Sequence, residues 1–335
     1  MTEKFNKCKK NSRKIVTILL VSLLLTGCET DISVFDNYEI PLSQSSEQDI
    51  SEGTTADNID SEFLSADICV VPKKKQSQKD SFMTAGASLI FDNTHNKMLY
   101  ADNIYTKMYP ASTTKIVTAL VALKYGNLND EVTISYNATH INEYGAKLCG
   151  FAEGDKITLK KLLYSFLICS GNDAGIAIAE HIAGSVDKFA AMMNKEVKAL
   201  GCSGSNFVNP HGLHDDNHYT TPYDLYLVFH ELLKYDVFMD IINHSSYKAE
   251  FNGADGNKKT LWFTSTDKYL LGSAKAPEGV TVIGGKTGTT SMAGSNLILY
   301  SKNSNGNSYI SVVMHASDSF SLYSQMSHLL ELENQ

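Results

Sequence analysis

Ser112, Thr113, Thr114 and Lys115 follow Pro110 at what reads as the start of a helix. Residues three apart share a helical face, so the Lys115 amine comes within reach of the Ser112 hydroxyl. A serine hydroxyl is a poor nucleophile until a base takes its proton. Lysine serves as that base when burial or a neighbouring cation lowers its pKa. The helix start adds partial positive charge and free N–H groups, which favour an oxyanion forming beside them. Alone, this spacing says little, because a capping serine with an exposed lysine looks the same. Two further stretches change that. Ser170, Gly171 and Asn172 offer a hydroxyl and an amide on a short loop between two helical segments. Lys286, Thr287 and Gly288 follow the apolar run Val280 to Ile283 and offer an ammonium, a hydroxyl and a glycine whose missing side chain lets a substrate backbone approach.

The elements that must hold these groups are legible in part. Ala87 to Phe91, turn-forming residues at 92–96 and Lys97 to Tyr100 predict a β-hairpin. Apolar positions Ile116, Val117, Leu120, Val121 and Leu123 predict a helix over Lys115 to Tyr125, closed by Gly126. Leu159 to Ile168, Asn172 to Ile182 and Asp187 to Leu200 also have a helical period. Val280 to Ile283, Asn296 to Tyr300 and Tyr309 to Met314 read as strands, and Phe320 to Leu332 as a last helix. Strands at both ends with helices between imply an α+β fold: a sheet built from both chain ends, flanked by helices, with an inserted all-helical subdomain over about 126–225.

The N-terminal region reads as targeting and tether. Residues 1–27 carry a net charge of +5 and then the apolar run Ile15 to Leu25. That run is too short to span a hydrocarbon core of ~30 Å. Leu25, Thr26, Gly27 and Cys28 resemble a bacterial lipobox, with cleavage before Cys28 and diacylation of its thiol. Two acyl chains would anchor the protein stably at the outer face of a membrane. Residues 28–80 read as an acidic flexible tether, with eleven Asp or Glu and no Lys or Arg between 29 and 67. The catalytic body is expected over 81–335. From residue 68 onward the chain sums to only -2, and Arg13 is the only arginine of the chain, so no basic footprint for nucleic acid exists. Cys69, Cys149, Cys169 and Cys202 match no zinc spacing and read as structural or free, with up to two disulfides available outside the cytoplasm.

The stretches Tyr109 to Leu120, Ser170 to Ala174, Asn209 to Leu213 and Gly285 to Thr290 resemble the low-molecular-mass penicillin-binding proteins, the serine-type D-alanyl-D-alanine carboxypeptidases, from about Phe82 onward. The resemblance implies an antiparallel sheet flanked by helices, with the site in the crevice beside a helical insertion. It implies that Ser112 forms the acyl-enzyme and Lys115 takes its proton. Ser170 and Asn172 would relay protons and hold the substrate amide. Lys286, Thr287 and Gly288 would bind the terminal carboxylate side, and the N–H groups of Ser112 and Thr289 would form the oxyanion hole. The expected partners are peptidoglycan stem peptides, with β-lactams as covalent inhibitors, and no cofactor or metal. Lys115 and Lys286, facing one crevice, are expected to depress each other's pKa.

The pattern departs from the family in two places. Members commonly carry a second domain and an amphipathic anchoring helix after the catalytic domain, for which the N-terminal lipid would substitute. Many also place an arginine beyond the strand that follows Lys-Thr-Gly. The matching stretch, Met314 to Tyr323, has neither Lys nor Arg, which leaves D,D-endopeptidase activity open. A class A β-lactamase would need a glutamate near residues 203–210, where there is no acid. A non-catalytic penicillin sensor would keep the pocket without turnover. Gly285-Lys286-Thr287 is not a phosphate loop, since Val280 stands where that motif needs glycine. His211, His214, Asp215, Asp216 and His218 read as a polar loop bordering the site rather than a metal centre.

Overall fold

The run at 87–92 has apolar residues at consecutive positions, and the strand it forms, β1 (Ala87–Asp92), is buried at all six. The computed structural model describes residues 68–335 apart from Lys79 and Tyr144. It places β1 inside a five-stranded antiparallel sheet. The order is β2 (Lys97–Asp102), β1, β9 (Ser308–Ala316), β8 (Gly294–Asn303) and, at the edge, β7 (Val280–Thr290). The first hairpin thus pairs with the last strands, the sheet of two chain ends read from the sequence.

Alternate side chains of this sheet meet different layers, as the two-residue strand period requires. Leu89, Phe91, Ile298, Ile310 and Val312 join a core with the helices of the middle of the chain. Ile90, Leu297, Leu299 and Val313 meet Leu322, Met326 and Leu329 of the final helix, Ser319–Leu330. Each such fully buried side chain contributes about 1.5–3 kcal/mol.

The middle of the chain forms α1 (Lys115–Tyr125), the short α2 (Tyr136–Thr139), α3 (Leu159–Cys169), α4 (Asn172–Ala183), α5 (Val186–Ala199), α6 (Pro222–Leu232) and α7 (Asp236–Ile242); the final helix is α8. Helix α1 is buried at its first eight positions, so it runs through the core and carries Lys115 into it. The expected all-helical insertion needs correction. A second sheet, in the order β3 (Glu131–Thr133), β4 (Lys156–Thr158), β5 (Ser246–Asn252) and β6 (Lys258–Thr264), lies among these helices. Strands of three residues are too short to show a period, and the β3–β4 pair joins, through β4, a hairpin about a hundred residues away.

Cys28 and residues 1–67 lie outside the described residues. The boundary of the tether also shifts. Cys69 and Val71 are buried, the Cys69 N–H donates to the Tyr226 hydroxyl (2.8 Å), and the Ser77 N–H donates to the Ala101 carbonyl (2.8 Å). Packing on the body therefore begins by Ile68, because two apolar residues in a polar stretch find a cleft beside Tyr223 and Tyr226. Among the described residues no helix is long and apolar enough to cross a membrane.

Candidate active site

Ser112 lies in a 3-10 turn, Ala111–Thr114, that feeds directly into α1. The turn is fixed from the sheet side. Fully buried Asn296 of β8 donates to the carbonyls of Tyr109 (3.1 Å) and Pro110 (3.0 Å) and accepts from the His315 N–H (2.7 Å). Strand β7 packs against the same turn at Gly288, where a Cβ would lie 2.8 Å from the Pro110 carbonyl oxygen and from the amide nitrogens of Ser112 and Thr113. The close approach that this glycine permits is that of the turn carrying Ser112.

Lys115 is completely buried. Its Nζ lies 3.0 Å from Ser112 Oγ, 2.8 Å from Asn172 Oδ1 and 2.6 Å from the His211 carbonyl oxygen. Burial, and then the charge of Lys286, hold its pKa well below the ordinary lysine value. A neutral amine has two N–H donors and one lone pair. Asn172 and His211 can take the two donors, which leaves the lone pair for the Ser112 hydroxyl.

The His211 carbonyl was not singled out from the sequence. It is presented by a tight loop in which Asn209 Oδ1 accepts from the Gly212 N–H (2.7 Å) and Thr118 Oγ1 donates to the Pro210 carbonyl (2.6 Å). Gly212 has φ +87°, and a Cβ there would lie 1.8 Å from the Ala111 carbonyl oxygen. The histidines of this loop are structural. His218 Nδ1 accepts from the Val208 N–H (3.1 Å), so Nε2 carries the proton and donates to Thr114 Oγ1 (2.7 Å). Burial brings the His218 pKa down to about 4, and pushes that of His211 well below its usual range. Among the described residues no group of three or more His, Cys, Asp or Glu is placed to hold a metal ion.

Ser170 ends α3 in the left-handed conformation (φ 66°, ψ 32°), and its buried Oγ has no hydrogen-bond partner among the described residues. Asn172 starts α4, and its N–H donates to the Lys147 carbonyl (2.7 Å). Asp173 Oδ1 and Oδ2 accept from the N–H groups of Cys149 (2.8 Å) and Gly150 (2.9 Å), so residues 147–150 are laced to this loop.

Lys286 is 2% exposed and donates to the Thr287 carbonyl (3.0 Å). Burial first, then the nearby Lys147 ammonium, lower its pKa to about 7. The Lys286 charge adds to the depression of Lys115, and the Lys147 ammonium to that of Lys286. Thr287 Oγ1 shares a 2.6 Å hydrogen bond with Thr266 Oγ1.

Ser112, Ser170, Thr287, Gly288 and Thr289 come together on one cleft of about 360 Å³. Lys147, Thr266, Lys268 and Tyr323 also line it and were not read from the sequence. Both lysines lie in irregular stretches, where no periodic signal marks a side chain as facing inward. The arginine-free stretch still reaches the cleft through Ser319, Leu322 and Tyr323, and the Lys268 ammonium stands 5.2 Å from the Tyr323 ring centroid.

Residues 73–318 match the model of peptidase family S11, described as D-alanyl-D-alanine carboxypeptidase. The chain is 32% identical over 252 residues to the D-alanyl-D-alanine carboxypeptidase DacF of Bacillus subtilis, covering 74% of this chain and 61% of that protein. It is 33% identical over 238 residues to DacA of Haemophilus influenzae, covering 69% and 57%. It thus spans about three fifths of the length of these relatives. Among solved structures, that of a Streptomyces DD-transpeptidase superposes with a TM-score of 0.70 at 26% identity, covering 77% of this chain and 99% of that one. Penicillin binding protein 5 of Haemophilus influenzae gives 0.66 at 29% identity, covering 76% and 72%.

Proposed function

The chain belongs to the D-alanyl-D-alanine carboxypeptidase family, and from that premise we propose that it removes the terminal D-alanine from peptidoglycan stem pentapeptides through an acyl-enzyme at Ser112. One observation carries the reading: the buried Lys115 amine, 3.0 Å from Ser112 Oγ, with acceptors for both of its N–H groups. Lys115 takes the Ser112 proton as Oγ attacks the carbonyl between the two D-alanines. The oxyanion is held by the N–H groups of Ser112 and Thr289 at the free edge of β7. Ser170 passes the proton to the departing amine, D-alanine leaves, and water then cleaves the ester by the reverse relay. Lys286 and Thr287 hold the terminal carboxylate, with Lys147 and Lys268 adding positive charge at the rim in place of the family's arginine. Penicillin acylates the same serine.

Residues 1–27 act as the signal, Cys28 carries the lipid, and the acidic stretch lets the enzyme stand off the outer face of the membrane. Supporting this are the +5 charge of residues 1–27, the short apolar run and the position of Cys28 at its end. The purified protein incubated with a muropeptide pentapeptide releases D-alanine, followed by mass spectrometry. Penicillin labelling without D-alanine release would overturn the carboxypeptidase reading in favour of a sensor, and labelling retained in Ser112→Ala would overturn the nucleophile.

A further inference from the structure

We infer that Cys149 and Cys169 are a disulfide site, and that the bridge restrains the Ser170 loop and slows acylation. The two sulfurs lie 3.1 Å apart in buried surroundings, on segments twenty residues apart in sequence. Cys169 is the last residue of α3 and precedes Ser170 directly. Cys149 belongs to the stretch that Asp173 holds against the loop. A Cβ added at Gly171 would lie 2.4 Å from Cys149 Sγ, so this sulfur already rests on the backbone of the Ser-Gly-Asn segment. A disulfide has sulfurs at ~2.05 Å, so closing the pair draws them together by about 1 Å.

The two thiols differ in their surroundings. The hydrogen bond from Cys149 lowers the Cys169 pKa, with help from the Gly171 N–H and Lys147. Burial and the same hydrogen bond raise that of Cys149. Either thiolate can attack first, and the exchange balances in the same way from Cys169 as from Cys149. With a small-molecule disulfide as oxidant, the Cys169 thiolate displaces one thiolate from it and forms a mixed disulfide. Cys149 then loses its proton and attacks the Cys169 sulfur, releasing the second thiolate. The net change converts two cysteine thiols and one disulfide into the Cys149–Cys169 bridge and two small thiols. The oxidising setting outside the cytoplasm, part of the function proposed above, favours the bridged form. Ser170 Oγ has no partner in the open state and must swing to relay a proton, so a bridge at the adjacent residue limits that movement.

The test uses the purified full-length protein in detergent, equilibrated with oxidised or reduced glutathione, alkylated, digested and mapped by mass spectrometry. The rate of acylation by a fluorescent penicillin is measured in parallel. A linked Cys149–Cys169 peptide lacking two hydrogens is expected, together with acylation slowed several-fold and restored by dithiothreitol. Cys149→Ala and Cys149→Ser, the second guarding against a cavity defect in the first, are expected to acylate at the reduced wild-type rate under reducing conditions and to give no linked peptide under the oxidant, which can leave only glutathione on Cys169. In the wild type, glutathione on Cys169 without a bridge, or a bridge that leaves acylation unchanged, overturns the inference. The peptide map reads the bridge without any activity, so loss of penicillin binding in the reduced protein would count against the acyl-enzyme reading alone.

Discussion

Lys115 and Lys286 are both buried lysines of one site, yet their surroundings differ in kind. Around Lys115 three oxygens converge, from Ser112, Asn172 and the His211 carbonyl. Around Lys286 the described residues give Nζ a single partner, the Thr287 carbonyl, with Lys147 lowering its pKa and Asp267 raising it. An amine whose donors are filled and whose lone pair meets a hydroxyl is built to take a proton. One with donors left over, next in sequence to the cleft-lining Thr287, is suited to hold an anion. The difference lies in the acceptors and not in burial, which lowers both pKa values.

The comparison breaks most sharply at Lys115. Lys115→Met keeps the volume and removes the proposed base, so acylation by penicillin is expected to fall by on the order of 10²–10⁴, read as the rate of fluorescent labelling. A fall of less than tenfold would mean that Lys115 is not the base. Lys286→Met should instead raise KM for a pentapeptide by about 10–100-fold, the loss of one charge-assisted hydrogen bond, while a thioester without the terminal carboxylate is processed almost as before. Equal losses on both substrates would erase the distinction.

A smaller effect separates burial from binding. The folded pKa of Lys286, about 7, lies below its ordinary 10.5. Between these values the unfolded chain binds more protons than the folded one, so stability rises with pH. Above about pH 9 the buried thiols of Cys69 and Cys202, whose pKa values are raised, act in the opposite sense. Denaturant midpoints are therefore expected to rise from about pH 7 to pH 9 in the wild type, and more shallowly in Lys286→Met. An identical slope in the two proteins would show that Lys286 costs the fold nothing by being buried.

How legible the two regions were follows from the same physics. The Lys115 side was half-readable. Helix period and Gly126 gave α1 its observed bounds, but the His211 carbonyl is a backbone atom, and no residue type announces it. The strands around Lys286 were readable from apolar runs, although β7 extends through Lys-Thr-Gly to Thr290 and does not stop before it. The second sheet escaped for two reasons. Strands β3 and β4 are too short to show alternation, while Tyr247, Ala249 and Phe251 of β5 do alternate with Lys248 and Glu250 and carried a signal that went unread. Lys147 and Lys268 reach the cleft from irregular stretches, where spacing carries no information about direction.

Lys268 offers the finest test of how the anion side is divided. Its N–H donates to the Tyr323 hydroxyl (2.9 Å), its ammonium stands over the same ring, and it is only half-buried. A cation so open to water contributes about 0.2–1 kcal/mol to an ion pair, far less than a desolvated one. Lys268→Ala should therefore raise KM for pentapeptides by only about 2–5-fold at low salt, with kcat unchanged, and the effect should fade as ionic strength rises. The salt dependence decides the role, because a residue that merely braced Tyr323 would lose kcat and KM together at every ionic strength. An effect of that second kind would assign the carboxylate to Lys286 and Thr287 alone, with Lys268 serving as packing for the wall of the cleft.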